Sequence, residues 1–173
     1  MKTTILLLAC SCCLAVSAAA VAAEPAAVAV KDGGAVEFRN DNSERCIGVD
    51  HASEKAGAYI KQFKCDTAEN QQWIHDPVPG SAYFRLKNKK SDKCMGVDGG
   101  SSRPGADIRQ FDCDHKPNQQ WQEIPDMPYF TLRNLDDTQN CIGVDNASKE
   151  NDVQLKVFPC DGKKNQKWKV RAL

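Results

Sequence analysis

The chain carries no excess charge of either sign: 23 Lys and Arg stand against 23 Asp and Glu in 173 residues. A nucleic-acid binder or a polybasic membrane binder shows such an excess, so its absence argues against both. Histidine is scarce, and His51, His75 and His115 fall at unrelated positions. Beyond residue 23 there is no His-x-x-x-His pair, no Cys-x-x-Cys and no glycine-rich phosphate loop. Catalytic or metal chemistry has nothing to stand on, and the expectation is a non-enzyme without cofactor or metal. No segment sustains a helical period. No long apolar run follows Glu24 and Pro25, so membrane insertion is not expected.

Cysteine, by contrast, is plentiful. Of nine, Cys10, Cys12 and Cys13 lie in an N-terminal stretch built from one Lys, an apolar run from Ile5 to Val16 and a small-residue tail. That order describes a secretory signal peptide rather than a membrane anchor. Val21 and Ala23 suit the subsites before a cleavage after Ala23, with Ala18 and Ala20 as alternatives. Residues 24–34 read as a flexible lead-in, and residues 35–173 as the folded body. Six cysteines remain there, and an even number in an exported chain reads as a disulfide framework.

The body is a threefold repeat, with units of about 35–79, 80–126 and 127–173. Cys46-Ile47-Gly48-Val49-Asp50 returns as Cys94-Met95-Gly96-Val97-Asp98 and as Cys141-Ile142-Gly143-Val144-Asp145, at offsets of 48 and 47. The second cysteines (Cys65, Cys113, Cys160) and all three tryptophans (Trp73, Trp121, Trp168) keep the same offsets. Among the pairings open to six cysteines, repetition favours the local set: Cys46–Cys65, Cys94–Cys113 and Cys141–Cys160. Each would close a loop of about 20 residues and stabilise the fold by roughly 3 kcal/mol.

Within each unit, short segments alternate apolar and polar residues with period two. Val36 to Arg39, Phe84 to Lys87 and Phe130 to Arg133 form the first strand, each followed by Asn, a turn former. The Cys-x-Gly-Val segment is the second. Tyr59 to Phe63, Asp107 to Phe111 and Gln154 to Phe158 make the third, and the segment around Gln-x-Trp the fourth. Four strands in three units predict an all-β fold, a pseudo-threefold twelve-stranded barrel. A solenoid is the alternative, but three short units close more naturally than they stack.

The triplicated Gln-x-Trp, with one cysteine pair per unit, resembles the ricin B-type lectin family, the R-type β-trefoil, over residues 35–173. The resemblance implies that the three Trp are core and that sugar contacts lie elsewhere. In that family each sugar site uses an Asp two residues after the first Cys. It also uses an aromatic two residues before the second Cys, a Gln two residues before the aromatic, and the Asn ahead of Gln-x-Trp. The aromatic is kept here as Phe63, Phe111 and Phe158, and the Asn as Asn70, Asn118 and Asn165. An aromatic face stacks on the apolar face of a sugar, while amide and carboxylate groups hold its hydroxyls.

This sequence departs from the pattern at two places. Gly48, Gly96 and Gly143 occupy the Asp position, and Asp50, Asp98 and Asp145 follow two residues on. In an extended strand that displaces a carboxylate by about 6.6 Å along the same face, unless glycine lets the chain bend. The family's Gln is a cation each time: Lys61, Arg109 and Lys156. Two readings of this Asp–cation recurrence are open, a cross-strand ion pair or a charged pocket wall suited to acidic glycans. All twelve residues are candidate carbohydrate contacts. The parity of the third strand, with Ile60, Ile108 and Leu155 inward, turns the Phe rings outward. The expected function is that of a secreted lectin whose partners are glycans or glycoproteins. The alternative is a protein-binding trefoil, such as a protease inhibitor or the targeting subunit of a toxin.

Overall fold

The period-two segments become strands whose apolar side chains face one axis. The computed structural model describes residues 34–101 and 103–173. The expected leader, 1–23, and all but the last residue of the lead-in, 24–34, lie outside the described residues. The first repeat contributes β1 (Ala35–Asn40), β2 (Cys46–Val49), β3 (Ile60–Phe63) and β4 (Trp73–Pro77). The second contributes β5 (Phe84–Asn88), β6 (Cys94–Val97), β7 (Ile108–Phe111) and β8 (Trp121–Asp126). The third contributes β9 (Tyr129–Asn134), β10 (Asn140–Val144), β11 (Val153–Pro159) and β12 (Trp168–Ala172).

Antiparallel pairing closes a ring. β1 pairs with β12, β12 with β9, β9 with β8, β8 with β5, β5 with β4, and β4 with β1. A closed circuit excludes the solenoid. The hairpins β2–β3, β6–β7 and β10–β11 stand off this ring. They meet one another through Gln62 opposite Val153, Tyr59 opposite Arg109, and Asp107 opposite Lys156. This is the β-trefoil arrangement, all-β in twelve strands.

The core fills each position three times. Phe38, Leu86 and Leu132 are fully buried at the middle of the first strands. Ile60, Ile108 and Leu155 do the same from the third strands. Trp73, Trp121 and Trp168 have 0% exposure, which makes them core, as expected. A buried indole N–H needs a partner. Each finds the carbonyl in the second strand of its own repeat: Ile47 (3.0 Å), Met95 (3.0 Å) and Ile142 (3.2 Å). The three local disulfides are formed, with Cα separations of 5.0, 4.9 and 5.1 Å.

The turn-forming asparagines clasp one repeat to the previous one. Asn88 Nδ2 donates to the carbonyls of Asn70 and Gln72, and Asn134 Nδ2 to those of Asn118 and Gln120. Asn40 Nδ2 reaches Asn165 and Lys167 and so ties the first repeat to the last. One detail differs from expectation. The Asn-Gln ahead of each Trp is a one-turn 3-10 segment, and the fourth strand begins only at the Trp.

Removing one staple with the pair Cys94→Ala and Cys113→Ala is expected to cost about 3 kcal/mol without changing the fold. The shift of the urea midpoint at constant slope measures it. Loss of far-UV signature would show that a single repeat cannot hold without its bridge.

Candidate functional site

The register of the second and third strands sets the site. Cys46 faces Phe63 and Gly48 faces Lys61, with equivalent pairs in the other two repeats. Ile60 and Gln62 point inward and are buried, so Phe63 takes the outward side and is half-buried. Phe111 and Phe158 repeat this. Each ring lies beside the repeat's glycine. A Cβ on Gly48 would sit 3.0 Å from both Phe63 Cδ2 and Gln71 Cγ. On Gly96 it would sit 2.9 Å from Gln119 Cγ and 3.2 Å from Phe111 Cδ2, and on Gly143 3.1 Å from Gln166 Cγ and from Phe158 Cδ2. These glycines make room; they do not bend the chain. The turn comes later, at short 3-10 segments opened by Asp50, Asp98 and Asp145, where His51, Gly99 and Asn146 adopt left-handed φ of 51°, 62° and 53°.

The glutamine of each Gln-x-Trp is buried beneath the ring. Gln71, Gln119 and Gln166 donate Nε2–H to the carbonyls of Lys64, Asp112 and Pro159. Asn70, Asn118 and Asn165 donate Nδ2–H to Val49, Val97 and Val144 at 3.1, 2.9 and 3.2 Å. Among the described residues no hydrogen bond uses their Oδ1, which leaves an acceptor for a ligand. Phe and Asn line a concave cavity in every repeat, of about 320, 480 and 370 Å³ in chain order. The wall opposite comes from the left-handed turn: His51 and Ala52, Gly99 and Gly100, Asn146 and Ala147. Asn151 of the third repeat completes the first cavity, and Ala56 of the first repeat completes the second.

A third acid was missed in the sequence. Asp66, Asp114 and Asp161 line the three cavities. Each fixes one oxygen in a turn, accepting from the backbone N–H of Ala68, Lys116 or Lys163 at 2.9, 2.9 and 3.0 Å. The signal was present as a Cys-Asp dipeptide in all three units. Burial works to raise the pKa of Asp114, but the backbone and side-chain hydrogen bonds of Lys116 win and hold it below the usual value. Asp161 is lowered in the same way, against burial, by Lys163. Ala68 stands where those lysines stand, so Asp66 keeps the backbone hydrogen bond without a lysine side chain at that position.

The Asp–cation recurrence is an ion pair three times over. Lys61 Nζ lies 3.0 Å from Asp50 and 2.9 Å from Asp152. Arg109 Nε lies 3.0 Å from Asp98, and Lys156 Nζ 2.8 Å from Asp145. Burial opposes the charge on Lys61, yet its hydrogen bonds to Asp152 and Asp50 hold the pKa above the ordinary 10.5. The hydrogen bond to Asp145 raises Lys156 against burial. Arg109 is further held 3.9 Å over the Tyr59 ring, and it donates to the Tyr59 hydroxyl and the Gly57 carbonyl. None of the three cations lines the Phe–Asn cavities. Asp145 reaches the third cavity, whereas Asp98 lines a separate depression with Arg103 and Asp107. The twelve candidates thus divide into a Phe–Asn set inside the cavities and an ion-paired Asp–cation set, of which Asp145 lines a cavity.

Comparison with known proteins bears on this geometry. The family profile described as ricin-type beta-trefoil lectin domain matches residues 34–168. The chain belongs to this family. Membership supports carbohydrate binding in general, and the family's fold is generally non-catalytic. No curated protein matches the chain. Among solved structures, the designed threefold-symmetric ThreeFoil is 26% identical with a TM-score of 0.78, over 81% of this chain and 99% of its own. The exo-beta-1,3-galactanase 1,3Gal43A from Clostridium thermocellum is 24% identical with a TM-score of 0.79, over 83% of this chain but only 31% of that one. The Macrolepiota procera ricin B-like lectin, solved with lactose, is 16% identical with a TM-score of 0.70, over 83% and 99% of the two chains. Three disulfides in such a domain are consistent with an extracellular protein.

Restoring the family's acid by Gly96→Asp is expected to destabilise the protein by about 1–3 kcal/mol through overpacking against Gln119 and Phe111. Denaturant unfolding checks this. An unchanged midpoint would mean that the cavity floor yields and the glycine is not needed for space.

Proposed function

We propose that the protein is a secreted, non-catalytic lectin that holds saccharides at up to three symmetry-related cavities. The ring of Phe63, Phe111 or Phe158 stacks on the apolar C–H face of a sugar. The free Oδ1 of Asn70, Asn118 or Asn165 accepts from one hydroxyl, and the cavity Asp accepts from another. Asp50, Asp98 and Asp145 act chiefly through Lys61, Arg109 and Lys156, closing the hairpin cap on which the cavities stand. The observation that carries the reading is the recurrence of one Phe–Asn–Asp cavity in all three repeats, while their rims vary freely. A single shallow cavity binds weakly, and three on one rigid body gain by avidity on a multivalent glycan.

A glycan array on the secreted protein, followed by titration of the best ligand, tests this. Each single change, Phe63→Ala, Phe111→Ala or Phe158→Ala, is expected to weaken binding to a multivalent glycan about tenfold, about 1.4 kcal/mol. The triple variant is expected to bind nothing while keeping a cooperative unfolding transition. A folded triple variant that still binds would refute the assignment.

A further inference from the structure

Outside the three cavities, the first repeat carries a feature that its copies lack. A groove of about 310 Å³ lies beside the first cavity and is lined by Arg39, Glu44, Lys64, Cys65 and Arg171. Lys64 lines both the groove and the Phe63 cavity. The three cations come from three distant places in the chain: β1, the residue after β3, and β12. β1 and β12 are paired with Glu37 opposite Arg171, which puts Arg171 at the groove's edge.

The threefold symmetry supplies an internal control. Around the first strand of the second repeat, the positions equivalent to Arg39, Lys64 and Arg171 are Lys87, Asp112 and, on β4 of the preceding repeat, Asp76. Around that of the third they are Arg133, Pro159 and, on β8 of the preceding repeat, Ile124. Only the first set is wholly basic. The Arg171–Glu37 pair (2.6 Å) is even reversed in sign as Asp76–Arg85 (2.7 Å) in the second repeat. Arg39 is paired with Glu44 and Arg171 with the fully buried Glu37. Among the described residues, no hydrogen bond or ion pair engages Lys64 Nζ, and Lys64 is exposed. The groove itself is lined by three cations and one acid, Glu44. Lys116 and Lys163 line the other two cavities but are paired with Asp114 and Asp161 (2.9 and 2.7 Å), whereas Lys64, which shares the first cavity with Asp66, has no such ion pair among the described residues.

We infer that this groove is an anion subsite, which takes a sulfate or carboxylate of a glycan whose neutral sugar rests on Phe63. The inference builds on the lectin reading and gives the first site a specificity the other two do not share. Two guanidinium groups suit the planar or tetrahedral oxygens of such an anion, and Lys64 adds a mobile point charge.

Calorimetric titration with a neutral oligosaccharide, its sulfated form and its uronate-bearing form tests the inference at low and high salt. At low salt the wild type is expected to bind one or both anionic forms about tenfold more tightly than the neutral one. The preference is expected to shrink at high salt, as exposed charges are screened. Lys64→Asp, which installs the residue of the second repeat, is expected to abolish the preference. Lys64→Gln is expected to reduce it, while neutral binding continues through the second and third cavities. The two anionic arms show which group the groove prefers. Equal affinity for neutral and charged forms, or a preference untouched by Lys64→Asp, overturns the subsite and leaves the lectin reading standing. Failure of every saccharide to bind overturns both.

Discussion

One segment of each repeat serves the interior and the surface at once. The Trp of Gln-x-Trp sinks its indole into the core and donates to a carbonyl of the second strand. Two residues earlier, the Gln fills the space above the glycine of that same strand, and the Phe ring rests against both. The cavity floor is thus one side-chain layer from the core. Truncating a fully buried Trp costs about 3–5 kcal/mol, and here it would also remove the anchor that sets Gln, Asn and Phe in place. The inter-repeat asparagines hang on the same segment, since they bond to carbonyls flanking the Gln. Fold closure and site geometry are therefore one constraint.

That constraint explains why the floors are alike and the rims differ. The Gly and the buried Gln are packed one layer from the core, and the Phe and Asn rest on them, so the floor is built alike in each repeat. The left-handed turn opposite is under no such demand, and it carries His51, Gly99 and Asn146 in the three repeats. The residue after each Phe is equally free: Lys64, Asp112 and Pro159. Charge is distributed in the same way. The hairpin cap repeats its partly buried ion pairs in all three units, whereas the groove beside the first cavity breaks the symmetry in favour of cations.

Much of the fold was legible because its signals are periodic. Three Trp and six Cys in register left little freedom, and the alternation in the third strand turned the Phe rings outward. The glycines were harder. Their role as bends was a reasonable expectation from conformational freedom, but the space they leave is filled by a Gln more than 20 residues downstream, which no local pattern displays. The 3-10 turn before each Trp escaped for a similar reason, since a three-residue segment has no period of its own. Asp66, Asp114 and Asp161 follow the second Cys in each unit, but a Cys-Asp dipeptide has no period and does not show that the turn brings it to the Phe ring. The groove was illegible in principle. Arg39, Lys64 and Arg171 meet only because the last strand pairs with the first.

The central claim is that the sugar ring of a bound glycan lies on the Phe–Asn floor of a repeat. Titrating a bound oligosaccharide into isotopically labelled protein, while following side-chain amide and indole resonances, tests it most directly. The account predicts that the amides of Asn70, Asn118 and Asn165 move while the buried indoles of Trp73, Trp121 and Trp168 stay in place. Shifts confined to the far end of the ring, around the β4–β5 and β8–β9 turns, would contradict it.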